Sequence, residues 1–441
     1  MKQLKIKDNQ WRPKQDFSDI AAVVNRVTDR TLEQLEREGV FVFPERIKEA
    51  EDLTKEQMIL QSYNDSYVSG NVMGFLGVGD ERLVIESRFS KGENDYFFQY
   101  LLEQVLDFSN FISLETNANQ EDKLFNLLLF LFPRYLKQAM RKGLFKTYIK
   151  NLYNDGNVKG RIDVARHIKK NIPFIGNIAY SQREYAYDNY LIELVRHTVE
   201  YITGKPNGRT LLNSVKDEVN QVIGATSNYR AVDRQKIIDL NLKNTVRHAY
   251  YHEYRALQQL CILILRNEQH QYGNGTRTVY GILFDGAWLW EEYVNKLIGQ
   301  AFYHPKNKAG DGAQRLFSID EVKIGLIYPD FIGKNPENRI IADAKYKPVD
   351  NIGNKDYLQV LAYMFRFDAK QGYYLYPESN EENDDLNLYL NQGSTYEDDV
   401  KQRNDIKVIK HGLKIPENAQ SYQEFVEKIK LNEHKFIEGV N

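Results

Sequence analysis

Tyr328-Pro329-Asp330 is followed, after twelve residues, by Asp343-Ala344-Lys345. Two carboxylates and a lysine in this order are the residue types of a Mg²⁺-dependent site that cleaves phosphodiesters. A hard cation takes oxygen ligands, usually one or two carboxylates, with phosphate and water completing the shell. Such a cation polarises a phosphoryl oxygen and lowers the pKa of the attacking water. A lysine beside the second carboxylate can orient or deprotonate that water, or neutralise charge developing on phosphate. The bland alternative is a surface hairpin with solvated Asp and Lys, since Asp-x-Lys recurs by chance in long chains.

Two strands must position these groups. Segments 322–332 and 339–346 are rich in Ile, Val and Tyr, as strands are, and the polar turn 334–338 would fold one onto the other. Side chains two apart share a strand face, so Asp343 and Lys345 point the same way. Asp330 has the parity of Ile324, Leu326, Tyr328 and Ile332, which predicts a carboxylate interrupting a buried apolar face. Such a charge is expensive unless a metal or partner compensates it. Upstream, 287–301 reads as an amphipathic helix with Trp290, Tyr293, Leu297 and Ala301 at helical spacing. Glu291 aligns with Val294 and Ile298 at the apolar border, whereas Glu292 aligns with Asn295, Lys296 and Gly299. A helix over 356–367 carries Gln359 and Tyr363 on one face. These two could contact phosphates or steady the lysine; alternatively Tyr363 is core and Gln359 exposed. A short strand over 373–377 follows.

A helix with Glu, a strand ending Pro-Asp, a strand with Asp-Ala-Lys and a Gln-x-x-x-Tyr helix together resemble the PD-(D/E)XK nuclease superfamily, and its RecB-type branch in the last element. More narrowly, the chain resembles McrC, the nuclease subunit of the McrBC modification-dependent restriction system, and the McrC-related subunit of LlaJI-type enzymes. The carrying residues are 289–294, 328–330, 343–347, Gln359 and Tyr363. Gly160-Arg161-Ile162-Asp163, Arg166-His167, Arg183-Glu184-Tyr185 and Asp188-Asn189 are similar to a middle-region signature of that family.

The resemblance implies an α/β chain: a C-terminal restriction-endonuclease-like domain, a mainly helical middle region and a small α+β N-terminal domain. It implies Mg²⁺ or Mn²⁺ held by Asp330, Asp343, the Ala344 carbonyl and Glu291, with Lys345 acting on water and Gln359 and Tyr363 in support. Double-stranded DNA would be the substrate and a McrB-like AAA+ GTPase or ATPase ring the partner, with two nuclease domains meeting transiently for a double-strand break. The alternatives are a RecB-like repair nuclease and a non-catalytic activator of an AAA+ NTPase.

Composition fits this expectation without requiring it. The 441 residues, 42% hydrophobic and 27% charged, suit two or three globular domains, divided at 1–105, 106–270 and 271–441. Gly273-Asn274-Gly275 would be the last boundary. Cys261 is the only cysteine, which excludes an intramolecular disulfide. With no apolar run long enough for a bilayer and no signal-like start, the expected location is the cytoplasm. Net charge is only −2, yet 134–170 holds eleven Lys and Arg against Asp155 and Asp163. Arg134, Arg141, Lys142, Arg161, Arg166, Lys169 and Lys170 are therefore candidate contacts to DNA or partner, or else a solvated face. The acidic run 378–385 reads as a solvated loop. His248 and His252 stand four apart but lack the glutamate of a zinc helix, and Gly204-Lys205-Pro206 is no P-loop. The chain is expected to bind no nucleotide itself.

Overall fold

The computed structural model describes residues 2–38, 40–43, 57–92, 94–106, 120–206, 208–271, 279–305, 312–380, 382–393 and 400–440. The chain is mixed α/β and divides into two compact units, one made of 1–115 with 275–441 and the other of 116–274. Gly273-Asn274-Gly275 lies outside the described residues.

In the first unit, strands Val72–Val78 and Glu81–Glu86 form the hairpin expected around Gly79-Asp80. Gly79 opens its two-residue turn at φ +61, a conformation glycine adopts without strain. Lys2–Lys7 adds in parallel to the second arm, and Tyr280–Asp285 adds antiparallel to the first. Val40–Phe43 completes five strands by pairing in parallel with Tyr280–Asp285. Chain from beyond residue 275 thus builds into the N-terminal sheet. Apolar side chains from Ile6 to Leu283 fill its core.

A second sheet of this unit carries Asp343 and the residues around it. Its strand order is Phe302–Tyr303, Phe331–Gly333, Ile340–Ala344, Gln371–Glu378, Lys401–Lys414, Leu386–Gln392. The first three strands pair antiparallel with one another, with Phe331 opposite Ala342. Ile340–Ala344, Gln371–Glu378 and Lys401–Lys414 are parallel, and helix Asn354–Phe367 makes the crossover between the first two. Its Val360, Tyr363 and Met364 pack with Ile341, Tyr374 and Tyr376.

Segment 322–332 is not one strand. Val322–Ile327 pairs with Gln314–Ile319 as a separate ribbon, and only Phe331–Gly333 joins the larger sheet. Pro329, with no N–H to give a ladder, stands at the break. The apolar parity is real, but its face is open: Ile324, Leu326 and Tyr328 are 38%, 47% and 39% exposed.

The second unit is richer in strand than its helical periodicity suggests. Helices Gln120–Met140, Tyr190–Thr203 and Glu253–Gln271 accompany a sheet of Thr147–Asp155, Ile178–Ala186 and Arg161–Ile162. The middle-region signature builds this scaffold. A Cβ on Gly160 would come 2.2 Å from the Ser181 carbonyl oxygen, so only glycine lets the strands approach. Asp163 caps helix Val164–Lys170, and Asn189 caps Tyr190–Thr203 while its amide donates to the carbonyls of Phe145, Ala186 and Tyr187.

His197, on that last helix, is fully buried, and both ring nitrogens lack a hydrogen-bond partner among the described residues. Burial, reinforced by Arg234, lowers its pKa from 6.5 to about 4. A base whose folded pKa is depressed binds its proton preferentially in the unfolded chain. Its contribution is fully present above pH 6.5 and is lost as pH falls towards 4. His197→Phe should flatten the urea-melt stability profile across that window, by on the order of 1–2 kcal/mol after solvent screening. An unchanged profile would show that His197 does not titrate there.

Candidate active site

Asp343 and Lys345 leave the same face of one strand end, and their side chains meet: Lys345 Nζ lies 2.5 Å from Asp343 Oδ2. The Asp343 side chain is wholly buried, and among the described residues no donor reaches its Oδ1. Asp330, half-buried after the Pro329 break, turns its carboxylate onto the same strand end, where Oδ2 accepts the Ala344 N–H at 2.9 Å. The Lys345 N–H donates to the Leu375 carbonyl at 2.8 Å, which anchors the strand end to its neighbour. Two aspartates and a lysine far apart in their backbone settings are thus gathered into one group.

A fourth charge belongs to the group. Asp356, in the first turn of helix Asn354–Phe367, accepts from Lys347 Nζ at 2.7 and 2.9 Å and from the Gly353 N–H at 3.0 Å. It also lies 3.9 Å from Lys345 Nζ. Burial alone would lower the Lys345 pKa, but Asp343, Asp330 and Asp356 outweigh it and raise the value above that of free lysine. Lys345 is therefore a cation throughout the neutral range. Burial opposes ionisation of Asp356, yet the Lys347 and Gly353 bonds hold its pKa below the usual value.

The Gln359 helix faces this group. Gln359 Nε2 donates to the Tyr363 hydroxyl at 2.6 Å; the tyrosine is buried and the glutamine half-buried. Burial, with Asp343 and Asp330 adding to it, raises the Tyr363 pKa to about 12. The phenol thus stays neutral within electrostatic reach of both aspartates.

Glu291 sits on helix Gly286–Ile298, which Asp285 caps through the N–H groups of Ala287 and Trp288. Trp290 donates from its indole to the Leu375 carbonyl at 2.9 Å, docking the helix on the sheet that carries Asp343. Tyr293 and Tyr100 both donate to Glu433 at 2.6 Å, tying this helix to Tyr96–Leu106 and Tyr422–Val440. A Cβ on Gly286 would come 2.6 Å from the Tyr346 ring, so glycine admits that tyrosine, which meets Ser87 Oγ at 2.8 Å. Glu291 is buried and Glu292 half-buried, the order their helical phase predicts. Glu291 Oε1 stands 3.7 Å from His304 Nε2, and His304 Nδ1 is 3.0 Å from the Asp330 carbonyl.

Asp356 and His304 escaped sequence reasoning. Asp356 could have been noticed as the acidic first-turn residue of a helix following Gly353; nothing local marks His304. Asp330 and Asp343 offer carboxylate oxygens, the donor type a Mg²⁺-type ion takes, and the buried Asp343 Oδ1 has no partner among the described residues. Among the described residues, no three His, Cys, Asp or Glu side chains converge as a metal cluster. Glu291 meets the group through His304.

The basic residues occupy the second unit. Arg134, Arg141, Arg161, Lys169 and Lys170 are exposed. Lys142 pairs with Glu253 at 2.8 Å, and Arg166 donates to the Tyr153 and Tyr180 carbonyls at 2.6 Å. His248 and His252 lie outside any helix. In the acidic run, Asp385 pairs with His411 at 2.6 Å.

Asp356→Asn should cost about 1–2 kcal/mol at pH 7 by weakening a helix cap and a charged pair. Because the folded pKa is lowered, the wild-type advantage is present above 3.8 and shrinks as acid protonates the carboxylate. Paired urea melts at pH 7 and pH 3.5 check both statements.

The model of the McrBC 5-methylcytosine restriction system component family matches residues 68–377. Two solved assemblies from Thermococcus gammatolerans are similar. One is a refined half-complex from a tetradecameric assembly of McrB AAA+ hexamers with bound McrC, at 15% identity and TM-score 0.47, covering 97% of this chain and 99% of that one. The other is a cryo-EM structure of the McrBC complex, at 14% identity and TM-score 0.32, covering 69% and 90% respectively. No curated protein matches significantly. With its family model spanning most of the sequence, from the N-terminal hairpin to the strand beyond the Gln359 helix, the chain belongs to the McrBC 5-methylcytosine restriction system components, as its resemblance to McrC implies.

Proposed function

We propose that this chain is the DNA-cleaving subunit of a McrBC-type restriction system and hydrolyses phosphodiesters of double-stranded DNA at a PD-(D/E)XK site. The observation that carries the reading is the buried Asp343 carboxylate, with one oxygen beside the Lys345 ammonium and the other without a donor. Asp330, Asp343 and the Ala344 carbonyl would hold Mg²⁺ or Mn²⁺, with Glu291 assisting. The ion, when bound, supplies Lewis acidity at phosphate and lowers the pKa of water.

The remaining work falls to the chain. Asp330 is held in place by the Ala344 N–H, so its carboxylate is preorganised at the strand end. Lys345, kept cationic by three carboxylates, offsets charge on the scissile phosphate and orients water. This favours charge stabilisation over a resting role as general base. The neutral Tyr363 hydroxyl, bonded to Gln359, can donate a hydrogen bond to phosphate or water without adding negative charge.

Energy and target choice would come from a ring-forming McrB-like AAA+ NTPase, docked and stimulated by the N-terminal and basic parts, with two nuclease domains meeting for a double-strand break. Asp343→Ala and Asp330→Ala should each abolish cutting in the assembly with Mg²⁺, nucleotide and DNA while the partner's NTPase stimulation survives. Glu291→Gln should impair cleavage and Glu292→Gln should leave it nearly intact. Wild-type cutting by Asp343→Ala would refute the site. Stimulation without any wild-type cutting would favour a non-catalytic activator. Efficient NTP-independent double-strand cutting by the isolated chain would favour a stand-alone nuclease.

A further inference from the structure

The ribbon of Gln314–Ile319 and Val322–Ile327 ends just before the Pro329 break that leads to Asp330. Its register sets Arg315 opposite Leu326, Phe317 opposite Ile324 and Ile319 opposite Val322. Period-two alternation puts these six side chains on one face. Phe317, Ile319 and Val322 are 62%, 60% and 64% exposed, more open still than Ile324 and Leu326. Five large apolar side chains in one continuous stripe differ from the scattered exposed hydrophobics of an ordinary surface. The charges around the stripe are sorted. Asp320 and Glu321 form its exposed tip. Arg315 stands at its root, where Arg366 of the crossover helix donates from Nε to the Arg315 carbonyl at 2.7 Å. Both arginines are exposed. Lys323 lies on the opposite face with its cross-strand partner Ser318.

We propose that this face is where two copies of the chain meet, ribbon on ribbon and antiparallel, about a twofold axis. The inference rests on the proposed meeting of two nuclease domains and names the surface that brings them together. An isologous contact must be complementary to itself. A twofold reverses the ribbon, so the acidic tip of each copy meets the basic root of the other. The apolar stripes close between these ends, with Phe317 and Ile324 each near its own counterpart at the axis. An apolar centre within a charged rim is the anatomy of a specific interface. DNA fits the face poorly, because its phosphates would meet the Asp320 and Glu321 carboxylates and find no cation along the stripe. Since the ribbon runs directly into the Asp330 segment, pairing two ribbons sets the two proposed metal sites at a fixed spacing, one for each strand of a duplex.

The test uses the full chain in the assembly with its NTPase partner, nucleotide, Mg²⁺ and a plasmid that the wild type linearises. Arg315→Glu makes the root acidic on this face. Asp320→Asn with Glu321→Lys makes the tip basic, and asparagine tolerates the φ of 51° at this position. Each variant alone should lose linear product about tenfold while nicked circles and NTPase stimulation persist. An equimolar mixture should recover much of it, because every acidic end then finds a basic one. Ile324→Cys should give dimers with a short bismaleimide, and the wild type, whose one cysteine, Cys261, is buried, should give none. A mixture no better than its members overturns the proposal, as does an Ile324→Cys chain that does not cross-link. Loss of NTPase stimulation in place of linear product assigns the face to the ring and also overturns it. Wild-type cutting by Asp343→Ala would instead sink the metal-site reading, and the cross-link, which needs no cleavage, would still decide the surface.

Discussion

A fully buried carboxylate is the constraint around which this region is organised. Asp343 has no access to water, and taking a carboxylate out of water costs several kcal/mol unless opposite charge and hydrogen bonds compensate it. Lys345 supplies the charge, and Asp356 and Lys347 extend the pair into an alternating network. The network compensates one Asp343 oxygen and leaves the other without a donor among the described residues. A purely structural ion pair gains nothing from that asymmetry.

Second-layer packing explains how such a group stays in register. The strand bearing Asp343 sits between a short antiparallel neighbour and a long parallel one. The Glu291 helix reaches it through Trp290, and Tyr346 reaches the opposite sheet of the same unit through Ser87. Tyr100, Tyr293 and Glu433 then hold three helices together with two hydroxyl donors on one carboxylate. Each contact is a directional bond from a large, buried side chain, so the group is positioned by a stiff frame rather than by its loops.

Much of the site was legible because its signals are local. Two-residue periodicity put Asp343 and Lys345 on one face, and helical phase distinguished Glu291 from Glu292. The turn over 334–338 paired 331–333 with 340–344. What escaped was non-local or depended on a single backbone atom. Strand parity in 322–328 does not say whether an apolar face is covered, and the proline break diverts it into an open ribbon. Pairing of Tyr280–Asp285 with Val40–Phe43 joins segments hundreds of residues apart, beyond any periodicity window. His304 lies against a main-chain carbonyl, a contact that no side-chain motif encodes.

The central claim is that the unpartnered side of Asp343 faces a cation shared with Asp330. Anomalous X-ray diffraction from crystals soaked in Mn²⁺ tests it most directly. The account predicts one strong anomalous peak bounded by the Asp330 and Asp343 carboxylates and lost in Asp343→Asn crystals. Saturating Mn²⁺ with no peak there, or an undiminished peak in Asp343→Asn, would contradict it.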